Sequence, residues 1–281
     1  MKVININQCY LYLNKKFNKK GLELSKHDFY TMVSHLLNVS FLNAKMVTLI
    51  NGNVFNKLKK YSKKLITGMP IQYVLNSANF CGFDMYVDSS VLIPRFDSEA
   101  LIPIIVKEVL DKDSVLDLCS GSGALGIATV KLAEEQNKFL NLTCADISEK
   151  ALNISKKNCY KNYVNAKFIL SDLFDKIDEK FDVIICNPPY VKNSEYEGLD
   201  KMVKYFEPKL ALVSGDSGLE FYEKIIPQLK DHLTYRGKIY FEYGLHQEND
   251  IKKLLIKDFR CIKIIKDNSG NNRFISAVKR D

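Results

Sequence analysis

An unusual proline-rich segment follows one apolar run of the chain. The run Phe181-Asp182-Val183-Ile184-Ile185-Cys186 leads into Asn187-Pro188-Pro189-Tyr190. Prolines fix the backbone and lack N–H groups, so nearby carbonyl oxygens are left to accept from a ligand. The side-chain oxygen of Asn187 and the carbonyl of Pro188 predict a grip on both protons of an –NH₂ group, and Tyr190 offers a flat face to a planar group. The alternative is a rigid turn after a strand.

A glycine-containing loop follows an earlier apolar run. It reads Asp117-Leu118-Cys119-Ser120-Gly121-Ser122-Gly123, and a helical pattern follows it. Gly121 and Gly123 allow a tight turn and a close approach of the backbone to a ligand. The N–H groups at a helix start favour an acidic ligand group. A tight strand-to-helix turn without a ligand needs glycine too, and the spacing also fits a dinucleotide fingerprint.

Two further acidic positions end strand-like runs. Asp146, followed by Ile147, stands where a carboxylate can accept both ribose hydroxyls of an adenosine. The alternative is an N-cap of the next helix, and both roles could hold at once. Asp172 could accept from an adenine amino group, with Leu173 or Phe174 beside the ring; an ordinary loop is the alternative. Together with the glycine loop, these positions predict a site for an adenosine-containing cofactor.

The segments around these motifs alternate between strand and helix. Apolar runs at 114–118, 140–145, 166–170, 181–186 and 238–243 predict five strands, and those at 260–266 and 274–279 predict two more. This alternation favours an α/β fold with a doubly wound, largely parallel, Rossmann-like sheet. Ligands bind such sheets at the carboxyl ends of the strands, and every motif above falls at such an end.

The first third of the chain has a different pattern. Residues 1–74 predict a small helical-bundle domain, with a stripe from Phe29 to Leu37 and Ser25 as an N-cap. A second stripe, from Leu49 to Leu65, is broken by Asn51-Gly52-Asn53. Residues 75–94 predict a β-hairpin linker, because Phe80 to Ile93 alternates apolar and polar residues around turn signals such as Gly82. Residues 95–281 form the α/β domain, which opens with a helix over 95–110.

Composition limits the partners. The 281 residues carry 41 basic and 33 acidic side chains, a net charge of +8. A basic surface can serve a nucleic acid, but no aromatic side chains interleave with the Lys pairs as a stacking platform requires, so solvated helix faces are favoured. The seven scattered cysteines predict no metal site. The chain shows no signal peptide and no membrane-spanning run, which predicts a cytoplasmic protein without a membrane partner.

The combined motifs resemble the release-factor glutamine methyltransferases over nearly the whole chain. The matching segments are Gly68-Met69-Pro70-Ile71-Gln72-Tyr73, Phe80, Gly82-Phe83, Val91-Leu92-Ile93-Pro94-Arg95, Asn187-Pro188-Pro189-Tyr190, Phe206-Glu207-Pro208, Ala211-Leu212, Ser214-Gly215, Gly218-Leu219, Glu242, Gly244, Gln247, Asp267, Gly270 and Arg273. Enzymes that methylate adenine in DNA or guanine in RNA share Asn-Pro-Pro-Tyr alone. The Pro-Ile-Gln-Tyr and Ile-Pro-Arg segments make the resemblance more specific.

The resemblance implies a helical substrate-recognition domain, a hairpin linker and an S-adenosylmethionine-dependent methyltransferase domain. It implies a protein substrate, the glutamine of the Gly-Gly-Gln loop in peptide chain release factors, held by Asn187, Pro188, Pro189 and Tyr190. The cofactor would lie on Asp117, Cys119 to Gly123, Asp146, Ile147, Asp172, Leu173 and Asn187. Two positions depart from the family pattern: Cys119 replaces the usual Gly, and Phe96 replaces the usual Pro.

Two other functions fit some of these residues. An enzyme that methylates amino groups of nucleic acid fits the basic charge, but the chain has no added RNA-binding module or DNA target-recognition insert. The second alternative is a cofactor-binding assembly protein without catalysis. Its only support is Cys119 in place of the usual Gly, and the intact Asn187 argues against it.

Overall fold

The computed structural model describes residues 3–280. Residues 1–2 and 281, the outer ends of the predicted first and last domains, lie outside the described part. The chain divides after Asn76 into two compact units, and the predicted hairpin lies in the second. Within residues 3–280, no helix is long and apolar enough to cross a membrane, and no cluster of three or more His, Cys, Asp or Glu could hold a metal ion.

The first unit is mainly helical. Its elements are β1 (Val3–Asn5), α1 (Ile6–Asn18), α2 (Lys26–Leu37), α3 (Phe41–Met46), β2 (Leu49–Asn51), α4 (Gly52–Leu65) and α5 (Ile71–Leu75). Ser25 caps α2 as predicted, because its hydroxyl accepts the backbone N–H of Asp28 at 2.9 Å. The α2 stripe predicted from the sequence faces the core, where Phe29, Met32 and Val33 are buried.

One predicted helical stripe of this unit is wrong at its start. The segment Leu49–Asn51 is a strand that pairs antiparallel with β1. The helix begins only at Gly52, because the side-chain oxygen of Asn51 accepts the backbone N–H of Val54 at 3.0 Å and so caps α4.

The second unit opens with a hairpin that is shorter than predicted. Its strands are β3 (Ala78–Phe80) and β4 (Phe83–Met85), and no strand continues to Ile93. Cys81 and Gly82 both have positive φ, at 50° and 85°, which is the geometry of a tight two-residue hairpin turn. A further turn, in which Val91 donates to the carbonyl of Asp88, replaces the expected strand.

The predicted helix over 95–110 has two parts. Phe96–Leu101 forms a 3₁₀ helix, and α6 (Ile102–Glu108) continues it as an α-helix with Pro103 in its first turn.

The remaining elements build one sheet with helices. In chain order they are β5 (Ser114–Leu118), α7 (Ala124–Glu134), β6 (Asn141–Asp146), α8 (Glu149–Lys161), β7 (Ala166–Leu170), β8 (Phe181–Cys186), α9 (Asn193–Tyr196), α10 (Lys201–Phe206), a 3₁₀ helix (Lys209–Ala211), α11 (Glu220–Ile225), a 3₁₀ turn (Ile226–Gln228), α12 (Leu229–His232), β9 (Leu233–Glu242), α13 (Glu248–Leu255), β10 (Phe259–Lys266) and β11 (Asn272–Lys279).

The sheet has seven strands in the order β10-β11-β9-β8-β5-β6-β7. The strands from β9 to β7 in that order are parallel, while β11 runs antiparallel to both β9 and β10. The prediction of a doubly wound α/β fold is confirmed. Strand β8 lies near the centre, where Ile184, Ile185 and Cys186 are fully buried, and a strand buried on both faces is expected to read as such an apolar run.

Candidate active site

A cavity of about 480 Å³ opens at the carboxyl ends of β5, β6, β7 and β8. Most of the site residues predicted from the sequence line it: Cys119, Ser120, Gly121, Ser122, Asp146, Ile147, Asp172, Leu173, Asn187 and Pro189. Four other predicted site residues are close in sequence to lining residues but do not line the wall themselves: Asp117, Gly123, Pro188 and Tyr190. The fold therefore brings the four separate motifs to one place.

The loop between β5 and α7 turns sharply through three residues with positive φ. These are Cys119 at 60°, Gly121 at 52° and Gly123 at 77°. A side chain at Gly123 would place a Cβ atom 2.5 Å from the hydroxyl oxygen of Ser155, so only glycine fits there. No acidic side chain occupies the first turn of α7. The backbone N–H groups of Ala124 and Leu125 donate to no described residue and are available to an anionic ligand group, whereas that of Gly126 donates to Asp117.

Asp117 supports this loop from beneath. Its side chain is fully buried, and its Oδ2 accepts the backbone N–H of Gly126 in α7 at 2.9 Å. Burial raises the pKa of this carboxyl to about 8. Any effect of Asp117 on a cofactor would thus pass through the loop and the start of α7.

Asp146 connects two of the motifs. Its Oδ2 accepts the backbone N–H of Gly121 at 2.8 Å, and its Oδ1 accepts that of Ser148 at 2.9 Å. Burial raises the pKa of the Asp146 carboxyl. The alternative of Asp146 as the helix N-cap is wrong, because the hydroxyl of Ser148 caps α8 by accepting from Ala151. Each carboxylate oxygen of Asp146 keeps a lone pair for a ligand hydroxyl.

The residues after β7 divide between the cavity and the core. Asp172 and Leu173 lie on the cavity wall. Phe174 is instead buried and stacks on His232, with ring centroids 4.2 Å apart. Of the two apolar side chains predicted to flank an adenine ring, Leu173 lies on the cavity wall and Phe174 does not.

The Asn-Pro-Pro-Tyr segment leaves the end of β8 at the cavity. Its residue Asn187 lies beside Glu242 at the end of β9, and a hydrogen bond from the Asn187 side chain acts to lower the pKa of that carboxyl. Within residues 3–280, no backbone or side-chain group donates to the carbonyl oxygen of Pro188. The carbonyl of Tyr190 already accepts from the Gln247 side chain at 3.2 Å. The side-chain oxygen of Asn187 and the carbonyl oxygen of Pro188 are therefore the acceptors that this segment can offer to a ligand.

Two buried carboxyl groups lie next to this segment, and sequence reasoning gave them no role. The hydroxyl of Ser98 donates to Oε2 of Glu242 at 2.6 Å. Arg95 donates to Oε1 of Glu207 at 2.8 Å, and the backbone N–H of Ile93 donates to Oε2 at 3.3 Å. Burial raises the pKa of Glu242 to about 7 and also raises that of Glu207. An acidic residue at the end of a buried strand, the signal that identified Asp146, would also have pointed to Glu242.

The two departures from the family pattern differ in position. Cys119 lines the cavity in a left-handed conformation that L-residues rarely adopt. Phe96 is 67% exposed and does not line the cavity. Only the change at Cys119 therefore touches the ligand site.

Comparisons with known proteins agree with this geometry. Residues 93–211 match the model of the methyltransferase small domain. A release factor glutamine methyltransferase from Lactococcus lactis is 37% identical, over 86% of this chain and 90% of its own length. One from Francisella tularensis is 33% identical, over 99% of this chain and 98% of its own length. A methyltransferase structure from Pyrococcus furiosus is similar in fold, with a TM-score of 0.51, 22% identity and coverage of 71% of this chain and 90% of that one.

The seven-stranded sheet, the cavity at its carboxyl edge and the match to the methyltransferase small domain place the chain among the Rossmann-like methyltransferases. Within that class, the chain belongs to the release factor glutamine methyltransferases. The predictions of fold, enzyme class and family are therefore confirmed, and the cofactor of this methyltransferase is S-adenosylmethionine.

The residues of the cavity fit that cofactor. The buried hydroxyl of Ser120 lies on the wall and has no hydrogen-bond partner among the described residues. Buried polar atoms rarely stay unpaired, so this hydroxyl is a ready partner for a polar ligand atom. The cavity volume is in the usual range for a ligand of this size, and the start of α7 with Asp146 offers complementary groups for a carboxylate and for a ribose.

Proposed function

We propose that this enzyme transfers a methyl group from S-adenosylmethionine to the side-chain amide nitrogen of the Gly-Gly-Gln glutamine in peptide chain release factors. The observation that carries the proposal is the pair of acceptors at Asn187 and Pro188, which follows β8 directly beside the cofactor cavity. Relatives of known name that match over most of both chains support the choice of a protein substrate.

Asn187 and Pro188 position the substrate nitrogen. The side-chain oxygen of Asn187 accepts one amide N–H, and the carbonyl oxygen of Pro188 accepts the other. Pro189 keeps the backbone rigid, and Tyr190 packs beside the planar amide. An amide nitrogen is a weak nucleophile, because its lone pair is delocalised into the carbonyl. Two acceptors on its protons draw them away from nitrogen and raise its electron density.

The cofactor supplies an electrophilic methyl group on a sulfonium centre, so the protein needs no strong acid or base to activate the donor. In the transfer the N–CH₃ bond would form as the S–CH₃ bond breaks, the electron pair of the broken bond would stay on sulfur to give a neutral thioether, and the proton released from the strongly acidic methylated nitrogen would pass to water. Alignment of the nitrogen with the methyl carbon is the protein's main contribution, and such alignment is worth roughly 7–11 kcal/mol of barrier in favourable cases.

The remaining predicted residues bind different parts of the cofactor. Asp146 takes the ribose hydroxyls, and Asp172 and Leu173 take the adenine. The loop Cys119–Gly123 and the start of α7 take the methionine end, with Ile147 at the cavity edge and Asp117 acting through the loop. We propose substrate recognition for residues 1–74, a linker role for residues 75–94 and catalysis for residues 95–281, in a cytoplasmic enzyme for which nucleic acid is not a substrate.

Transfer of labelled methyl groups tests this function. Purified release factor, duplex DNA and ribosomal RNA are incubated separately with the enzyme and labelled S-adenosylmethionine. We expect label only in the release factor, on the glutamine of the Gly-Gly-Gln peptide as located by mass spectrometry. Label on nucleic acid and none on that glutamine would contradict the substrate while keeping the methyltransferase class. No label on any of the three would favour a cofactor-binding protein without catalysis.

A further inference from the structure

The carboxyl of Glu242 lies where it can decide which way the Asn187 amide faces. Strands β8 and β9 pair in parallel, with Cys186 opposite Phe241. Asn187 follows Cys186 just beyond the end of β8, and Glu242 follows Phe241 as the last residue of β9, so the two lie side by side at the carboxyl edge of the sheet. A hydrogen bond from the Asn187 side chain acts to lower the pKa of the Glu242 carboxyl. Glu242 is 2% exposed, and the hydroxyl of Ser98 donates to its Oε2 at 2.6 Å.

The chemistry of the two groups fixes the direction of their hydrogen bond. An ionised carboxylate only accepts, so Asn187 must donate to it through the side-chain NH₂. The amide oxygen then lies on the other side of the planar group and stays available to the substrate. A protonated Glu242 could donate instead, which would let the amide turn round and present its NH₂ to the substrate. Two NH₂ groups facing each other cannot hydrogen-bond.

We propose that Glu242 is a positioning residue, whose carboxylate holds the Asn187 amide with its oxygen toward the substrate nitrogen. The inference rests on the proposed function in one respect only, the identity of the nitrogen that Asn187 receives. Glu242 itself is separated from that nitrogen by Asn187 and acts through it.

The surroundings make this carboxyl sensitive to pH near neutrality. Burial raises its pKa to about 7, while the hydrogen bond from Ser98, the charges of Arg273 and Arg95 and the hydrogen bond from Asn187 oppose that rise. Tyr190 also faces this carboxyl, and its phenol stays neutral because burial, together with the charges of Glu242 and Glu207, raises its pKa. The buried phenol of Tyr222 donates to the backbone carbonyl of Glu242 at 2.7 Å, and burial raises its pKa as well. Neither phenol titrates near pH 7.

The first experiment needs no substrate. In ¹⁵N-labelled protein, the side-chain NH₂ signals of Asn187, assigned by their loss in Asn187→Ala, are followed from pH 5.5 to 8.5. We expect them to titrate with a midpoint near 7 in the wild type and to stop titrating in Glu242→Gln. Signals that titrate unchanged in Glu242→Gln would overturn the proposal, and so would Asn187 signals at pH 8.5 that are the same in the wild type and in Glu242→Gln.

Two further variants provide a control and an alternative test. Glu108→Gln removes a carboxyl that bonds Tyr240 of the same strand β9 at 2.8 Å, and it should leave the Asn187 titration unchanged. If Glu242→Gln does not fold, Ser98→Ala serves instead: it removes a bond that lowers the pKa of Glu242, so the midpoint should move upward. An unmoved midpoint in Ser98→Ala would count against the proposal.

The second experiment measures turnover. We expect Glu242→Gln to lower kcat at least tenfold at pH 8 without weakening cofactor binding. The fall of kcat below pH 7 in the wild type should be absent from the variant. Wild-type kcat and an unchanged pH profile would contradict the positioning role. If the wild type labels nucleic acid and not the glutamine while the Asn187 signals follow Glu242, the substrate proposal fails and the positioning role stands.

Discussion

The carboxylate of Asp146 accepts the backbone N–H of Gly121 at 2.8 Å, which ties the end of β6 to the loop that follows β5. Its other oxygen accepts the N–H of Ser148 at 2.9 Å. One side chain thus holds two loops of the cavity wall in register while facing the cavity itself. Its loss should affect ligand binding both directly and through the shape of the glycine loop.

We therefore expect Asp146→Ala to weaken S-adenosylmethionine binding in a folded protein. Leaving ligand hydroxyls and backbone groups poorly paired costs roughly 1–3 kcal/mol, a factor of about 5 to 150 in Kd. Titration calorimetry measures this change. The exposed Asp178, which does not line the cavity, provides the control variant Asp178→Ala with wild-type affinity. An unchanged Kd in Asp146→Ala would remove this residue from the cofactor site.

Cys119 gives a second prediction, because a side chain stands where the family has glycine. Its φ of 60° is strained for an L-residue and its side chain is on the cavity wall. Cys119→Gly should bind the cofactor at least as tightly as the wild type. Bound S-adenosylhomocysteine should slow alkylation of the Cys119 thiol. Peptide mass spectrometry follows the rate, with the exposed Cys261 as an internal reference that the ligand leaves unchanged. Equal alkylation of Cys119 with and without ligand would place it outside the site.

The centre of the sheet could be predicted from the sequence because β5 and β8 are buried apolar runs, whereas the edge strand β7 is only partly buried. The predicted 114–118, 166–170 and 181–186 coincide with β5, β7 and β8. A strand covered on both faces has no polar alternation to confuse with another element, and its end marks the ligand edge. The same local signal predicts Asn187, Asp146 and the glycine loop at one edge of the sheet, and all three line the cavity.

The features that the sequence did not predict correctly depend on contacts between residues far apart in the chain. The strand expected up to Ile93 has no partner strand, since β3 and β4 complete the hairpin and Ile93 instead donates its N–H to Glu207. The contact between Asn187 and Glu242 follows from the neighbouring positions of β8 and β9 in the sheet. The order of strands in a sheet cannot be predicted from the spacing of residues along the chain. The sequence around Asn187 and the sequence around Glu242 therefore did not predict that these two residues are neighbours.

Glu242 also predicts how stability depends on pH. Its folded pKa of about 7 lies above the ordinary 4.5, so its neutral form stabilises the fold below pH 4.5 and that contribution is lost as pH rises to 7. Relative to the wild type, Glu242→Gln should therefore gain up to about 3 kcal/mol of unfolding free energy between pH 4.5 and pH 8. Calorimetric unfolding at pH 5 and pH 8 measures the difference.

The opposite sign is expected at Glu108. Its pKa is lowered, because hydrogen bonds from Tyr240 and Lys238 and the charges of Lys238 and Lys263 outweigh the effect of burial. Glu108→Gln should therefore lose stability relative to the wild type as pH rises through 4.5. If both variants showed the same pH trend, the assignment of these shifts to the two carboxyl groups would be wrong.

Asn187 gives the last prediction. Asn187→Ala leaves Asp146 and the glycine loop unchanged, so the Kd for S-adenosylmethionine should change by no more than about twofold. A change of about 1.4 kcal/mol in binding free energy would instead shift the Kd about tenfold. Turnover on release factor should fall about a hundredfold or more, because one well-placed transition-state contact is worth roughly 2.7–4 kcal/mol in an acyl-transfer enzyme. A release factor with Glu in place of the loop Gln carries no –NH₂ group and should accept no methyl from the wild type. Single-turnover label transfer at saturating cofactor measures both effects. Near-wild-type turnover in Asn187→Ala, or label on the Glu loop at the same position, would show that the methylated nitrogen is not the one Asn187 was assigned to hold.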